Sequence, residues 1–130
     1  MLRHHEIFGQ LAEIADQCLD DAADESSIAR ALMLLISKIP SIDQLGVTAQ
    51  APIGKFEMKL SADCPLEATL MLIGSNVGYM ISRGPTQDVI ATIAIPNPHL
   101  ESTFSGSTEA KAMMGALATA LWQMLELQSK

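Results

Sequence analysis

The longest apolar segment of the chain is TEAKAMMGALATALWQMLEL, residues 108–127, and it is the strongest indication of the fold class. Its residues are apolar on nearly every side of a helix, and the polar side chains inside it are Lys111, Thr119, Gln123 and Glu126. A helix that is hydrophobic all round is buried on more than one side. We therefore predict a long C-terminal helix that is buried in this way, and its polar interruptions argue against a membrane span.

The residues before this helix supply its start signals. Ser105, Ser107 and Thr108 are candidate N-cap residues, and Glu109 would lie near the positive end of the helix dipole. We predict that a loop from His99 to Ser107 joins this helix to a preceding strand.

Two amphipathic helices open the chain. Apolar residues recur at three- and four-residue spacing through residues 5–21, which predicts the first helix. A second helix is predicted over about residues 27–38, where Ser26 or Ser27 can cap its start and Pro40 ends it.

The middle of the chain has the two-residue period of β-strands. Phe56, Met58 and Leu60 alternate with polar residues, which predicts a strand over residues 55–61 with one buried and one solvent-facing side. Further strands are predicted at about residues 45–50, 68–73, 79–81 and 89–95. The chain is therefore predicted to be one α+β domain, residues 1–130. It has two N-terminal helices, a four- to five-stranded antiparallel sheet, and a long C-terminal helix packed with the N-terminal helix on one sheet face.

The composition favours self-association. Hydrophobic residues make up 48% of the chain and charged residues only 18%, whereas roughly 25% charge is usual. A chain of 130 residues has a large surface for its volume, so subunit contacts are a natural place to bury the excess. We predict a homodimer, with an interface formed by Met113, Leu117, Leu121, Trp122, Met124 and Leu125 of the last helix.

The charge excludes some partners. The net charge is −7, and the basic residues are scattered singly along the chain. Neutralising phosphates requires clustered Lys and Arg, so we expect neither nucleic acid nor an anionic membrane as a partner. The cysteines, Cys18 and Cys64, suggest no disulfide framework. With no signal peptide visible, we expect a cytoplasmic location.

Residues that carry chemistry are sparse. His4 and His5 are adjacent and would point about 100° apart on a helix, which is a poor arrangement for chelating a metal. Cys64 precedes Pro65, a dipeptide that sometimes ligates haem iron but more often forms a plain turn. No nucleophile elbow, P-loop or zinc motif occurs. We therefore predict no catalytic residue, no metal and no cofactor, and rank an enzyme as the third hypothesis.

A ligand site is predicted in the sheet region. Tyr79 and Arg83 are four residues apart, so on a strand they share a face and could hold an anionic or planar ligand. Asn97 and His99, in a proline-rich loop, complete the predicted ligand-binding set. The alternative is an amphipathic strand followed by an ordinary loop.

The order of elements resembles that of GAF-type sensory domains, from the wider group that includes PAS and profilin-like folds. The opening, LAEIADQCLDDAADESSIARALMLLISKI at residues 11–39, is similar to the paired helices that begin many GAF domains. The ending, VIATIAI at 89–95 and AKAMMGALATALWQMLELQ at 110–128, is similar to their closing strand and helix. The resemblance implies a helix that pairs with the first helix, and it carries no binding residue over.

These observations favour a non-enzymatic sensory or regulatory domain. It would act as a homodimer and bind a small molecule or a partner protein. The alternative is a protein-interaction adaptor or chaperone-like module, related to phage or secretion systems, that has no small-molecule ligand.

Overall fold

The computed structural model describes residues 4–39, 42, 53–74, 76–85, 88–96 and 99–128. These residues form an α+β fold, as predicted, in the order α1 (His4–Cys18), α2 (Glu25–Ile36), α3 (Ile53–Ser61), α4 (Pro65–Leu70), β1 (Gly78–Arg83), β2 (Val89–Pro96), β3 (His99–Gly106) and α5 (Glu109–Gln128). None of the helices in the described residues has the length and hydrophobicity that crossing a bilayer requires.

The two N-terminal helices form close to where their apolar periodicity places them. Helix α1 ends at Cys18, three residues earlier than predicted. Helix α2 begins at Glu25, and its N-cap is Asp24, whose Oδ2 accepts a hydrogen bond of 3.0 Å from the backbone N–H of Ser27. Hydrogen bonds from the side chain and backbone of Ser27 hold the pKa of Asp24 below its usual range. The predicted caps, Ser26 and Ser27, instead lie in the first turn.

The strand predicted over residues 55–61 is wrong, because this segment is the helix α3. Phe56 and Leu60 are buried, whereas Met58 is 71% exposed. A strand would have placed all three side chains on one face, but the spacing of four between Phe56 and Leu60 matches one face of a helix. Burial of these two residues fits the helix, and it leaves Met58 on the solvent side.

The strand predicted over residues 68–73 is also wrong. Residues 65–70 form the short helix α4, with Pro65 in its first turn, where a missing N–H costs no hydrogen bond. A short continuous apolar run fits a buried strand or a buried helix equally well, so periodicity could not separate them. The strand predicted at residues 45–50 lies outside the described residues.

The loop predicted from His99 to Ser107 is instead the third strand of the sheet. Within the described residues the sheet is three-stranded and antiparallel, in the order β1-β2-β3, rather than four- to five-stranded. Tyr79 lies opposite Ile93, and Ile93 lies opposite Ser102. The inward positions of β3 include the small residues Ser102 and Gly106, so its hydrophobic alternation is weak in the sequence.

The long C-terminal helix predicted from the sequence is confirmed as α5. Thr108 caps its start, because its Oγ1 accepts a hydrogen bond of 3.1 Å from the backbone N–H of Lys111. Helix α5 packs against β2, β3 and α1, and most of its residues are buried. Small residues allow the close approach to β3: a Cβ added at Gly106 would lie 2.8 Å from the backbone nitrogen of Ala112.

Candidate functional site

A groove of about 460 Å³ runs between α1 and α5. The two helices lie antiparallel, because Phe8 near the start of α1 meets Trp122 near the end of α5, whereas Lys111 meets the residues that follow α1. The groove is lined by Leu11, Ala12, Ala15, Asp16, Ala118, Thr119, Trp122, Gln123 and Glu126. Its volume is in the range of small-molecule pockets in proteins.

The apolar part of the groove comes from small side chains. Ala12 and Ala15 of α1 and Ala118 of α5 replace the larger residues that would otherwise interdigitate between two helices. Leu11 and Trp122 provide the larger apolar surfaces. The space between the helices is therefore open because the side chains at these three alanine positions are small.

The polar part of the groove is rich in acceptors. Asp16 and Glu126 are exposed carboxylates, one from each helix, and Gln123 adds an amide. The hydroxyl of Thr119 donates a hydrogen bond of 2.8 Å to the backbone carbonyl of Gly115. None of the described residues that line the groove is basic, so this lining presents negative charge beside apolar surface.

Trp122 is held at the end of the groove by two contacts. Its ring packs edge-on against Phe8, with ring centroids 5.2 Å apart and planes inclined by 61°. Its Nε1 lies 3.3 Å from Oε2 of Glu126, one turn later on the same helix, to which it donates a hydrogen bond. Such aromatic pairs add stabilisation beyond burial alone, so the indole has a defined orientation before any ligand binds.

A buried lysine fixes the far end of the α1–α5 pair. Lys111 is only 3% exposed, and its Nζ donates hydrogen bonds to the backbone carbonyls of Asp20 at 2.8 Å and Asp21 at 3.1 Å. Beside it, the hydroxyl of Thr108 donates to Oε2 of Glu25 at 2.6 Å. These bonds join the start of α5 to the turn between α1 and α2 and to the first residue of α2, so the groove is anchored at this end.

Tyr79, Arg83 and His99 of the predicted ligand-binding set lie within the described residues, on two different faces of the sheet. Tyr79 and Arg83 are exposed and share the helix-facing side of β1, as their spacing indicated. Arg83 forms an ion pair of 3.6 Å with Glu109. His99 is exposed on the other sheet face, since it alternates with the buried Leu100, and Asn97 lies outside the described residues. The ligand site predicted from these four residues stays a prediction.

The predicted dimer interface lies mostly inside the single chain. Met113, Leu117, Leu121, Met124 and Leu125 are all buried in the core of one chain, and only Trp122 is half-exposed. The interface predicted at these residues stays a prediction. The homodimer itself stays a prediction.

Neither cysteine belongs to a metal-binding cluster within the described part of the chain. Cys18 is buried, and burial raises the pKa of its thiol to about 12, although the nearby charge of Lys111 acts in the opposite direction. Cys64 is half-buried, and its Sγ lies 3.5 Å from the backbone carbonyl of Ala62. Among the described residues, no group of three or more His, Cys, Asp or Glu side chains is placed to hold a metal ion.

The sequence contained a signal for the groove that our prediction did not use. Thr119, Gln123 and Glu126, which interrupt the apolar helix, follow one another at spacings of four and three residues. Residues at these spacings share one face of a helix. The polar interruptions therefore mark the face of α5 that opens to solvent, and Trp122 lies within it.

Comparison of the chain with protein-family models, with curated proteins and with solved structures finds no match in any of the three.

Proposed function

We propose that this protein is a non-enzymatic regulatory domain that binds a small amphipathic cation in the groove between α1 and α5. The observation that carries the proposal is the composition of the groove. An apolar floor of alanines and an indole lies beside two exposed carboxylates, and none of the described residues that line the groove is basic. A ligand with an apolar body and one positive charge matches both parts.

Each part of the groove has a separate role in this proposal. The floor formed by Ala12, Ala15 and Ala118 would take the apolar body of the ligand, whose burial contributes about 25 cal/mol per Å². Asp16 and Glu126 would attract the charged group. Because both carboxylates are solvent-exposed, they would contribute selectivity for charge more than affinity.

The regulatory part of the proposal is supported by the position of the groove. Its two walls are separate helices, anchored to each other at the Lys111 end and in contact through Phe8 and Trp122 at the other. A ligand between them would contact both helices, so its binding energy can favour one spacing of the helices over another. A sensory domain could transmit ligand binding to a partner through such a change in helix packing.

Isothermal titration calorimetry with two probes of opposite charge tests the proposal. The probes are 4-phenylbutylammonium and 4-phenylbutyrate, which share an apolar body and differ in the charged group. We expect the cation to bind and the anion to bind at least about tenfold more weakly, because the carboxylates of Asp16 and Glu126 attract one and repel the other.

Two leucine variants locate the binding site. Ala15→Leu fills the groove from a half-buried position and should abolish binding of the cation. Ala31→Leu is the matched control, because Ala31 is an exposed helical alanine that lines a smaller groove of about 270 Å³ between α1 and α2. Binding that survives Ala15→Leu, or equal affinity for the two probes, would contradict the proposal. Absence of binding by either probe would favour the adaptor alternative.

A further inference from the structure

Strand β1 is an exposed edge of the sheet. It pairs with β2 on one side, and in the described part of the chain no strand lies on its other side. Tyr79 is 52% exposed and Met80 is 66% exposed, although they point to opposite faces of the sheet. An edge strand with exposed apolar residues on both faces is a template for pairing with another strand.

The pairing pattern shows which backbone groups point to this edge. The N–H of Gly84 donates a hydrogen bond of 3.0 Å to the carbonyl of Asp88, and these two residues continue the register of β1 with β2. Hydrogen-bonded and non-hydrogen-bonded pairs alternate along an antiparallel ladder. The N–H and C=O groups of Ser82 and Met80 therefore point toward β2, whereas those of Ile81 and Tyr79 point toward the open edge.

We propose that two copies of this chain pair through β1 about a two-fold axis at Ile81, which joins their sheets into one six-stranded antiparallel sheet. In this register Ile81 lies opposite Ile81 of the partner subunit. Tyr79 then lies opposite Arg83 of the partner subunit. A two-fold interface repeats each contact, so the Tyr79–Arg83 pair occurs twice. This interface is separate from the α1–α5 groove, since no residue of β1 lines it.

The side chains are complementary in this register. A guanidinium over a tyrosine ring gains a cation–π interaction, and directly opposed side chains on neighbouring strands are close enough to make it. The only charged residue of β1 is Arg83, at its end. Pairing about Ile81 therefore places no like charges opposite one another within the strand.

The edge also lacks several of the features that usually prevent pairing. Lysine, proline and β-bulges protect natural edge strands. Strand β1 contains no lysine or proline, and its register with β2 is continuous from Gly78 to Arg83. The other edge strand, β3, differs because it carries the charged Glu101 within the strand and has α5 packed against it.

Size-exclusion chromatography with light scattering over a concentration series tests the proposal on the full chain. The wild type should reach twice the 13.9 kDa mass of one chain. Tyr79→Lys would face Arg83 of the partner subunit with a like charge at two places, and should raise the dimer dissociation constant about tenfold or more. Tyr79→Glu would face the same residue with an opposite charge, so its dimer should be at least as tight as the wild type.

The pair of Tyr79 variants separates the interface from a loss of folding. Both replace one exposed tyrosine with a charged residue, so general destabilisation would affect them alike, and circular dichroism would show it. Ser105→Lys, on the exposed face of β3, is the control and should leave the dimer unchanged. A wild type that stays monomeric at millimolar concentration, or a dimer weakened equally by Lys and Glu at position 79, would overturn the proposal.

Discussion

The ring of Phe104 occupies the space that the absent side chain of Gly115 leaves open on α5, and a Cβ added at Gly115 would overlap three of its ring atoms. Phe104 lies on β3, so this contact joins the third strand of the sheet to the long C-terminal helix. Glycine is needed here because of close packing with a neighbouring ring.

Gly115→Ala should therefore destabilise the protein. Alanine is normally the better helix former, by about 1 kcal/mol, but overlap with Phe104 forces the ring or the helix to move, which costs about 1–3 kcal/mol. Gly9→Ala is the control, since nothing lies within 4 Å of the added Cβ in helix α1, and it should stabilise by about 0.5–1 kcal/mol. Urea unfolding measures both, and a stabilised Gly115→Ala variant would contradict the packing described.

Lys111→Met should also destabilise the protein. The substitution keeps much of the apolar stem but removes the two hydrogen bonds to the carbonyls of Asp20 and Asp21. We expect a loss of about 1–3 kcal/mol, because the carbonyls lose their donor in a partly buried site. Lys55→Met, at an exposed position of α3, is the matched control and should change stability by less than about 0.5 kcal/mol. Equal effects of the two substitutions would show that the buried ammonium stabilises nothing.

The buried thiol of Cys18 should make stability depend on pH in the alkaline range. Its pKa is raised from 9.0 to about 12 in the folded chain, so above pH 9.0 the unfolded chain loses a proton that the folded chain keeps. The contribution of Cys18 is thus fully present below pH 9.0 and is lost as the pH rises toward about 12. Each pH unit in this window should remove roughly 1 kcal/mol.

Comparison with Cys18→Ala isolates this effect from other titrating groups. The difference in unfolding free energy between the wild type and the variant should be constant from neutral pH to about pH 8, and should shrink above pH 9.0. Denaturant unfolding at a series of pH values measures it. A difference that stays constant across the alkaline range would mean that the thiol ionises equally in the folded and unfolded chains.

The sequence predicts an element correctly where the apolar periodicity and the composition of a segment favour the same kind of secondary structure. Helices α1, α2 and α5 and strands β1 and β2 follow from runs whose apolar spacing matches one kind of element. The alternation of Phe56, Met58 and Leu60 could not be interpreted in this way, because positions four apart fit both a strand face and a helix face. Only the burial of Phe56 and Leu60, with Met58 in solvent, distinguishes the two.

Strand β3 and the groove depend on contacts that a linear pattern does not show. Ser102 and Gly106 are inward-facing because β2 pairs beside them and α5 packs over them, although neither residue is strongly apolar. The groove is lined by both Ala15 and Ala118, which lie on helices far apart in the chain. The polar stripe on α5 marks one wall of the groove in the sequence, although our prediction did not use it. The other wall can be identified only once the packing of α1 against α5 is known.

The fluorescence of Trp122 reports directly on ligand binding in the groove, because this residue is the only tryptophan of the chain and lines the groove. We predict that 4-phenylbutylammonium changes its emission in a saturable way, with a midpoint equal to the calorimetric dissociation constant. We also predict that Ala15→Leu removes this change, whereas Ala31→Leu keeps it. Calorimetric binding of the cation without any change in the emission of Trp122 would place the ligand elsewhere and contradict a binding site between α1 and α5.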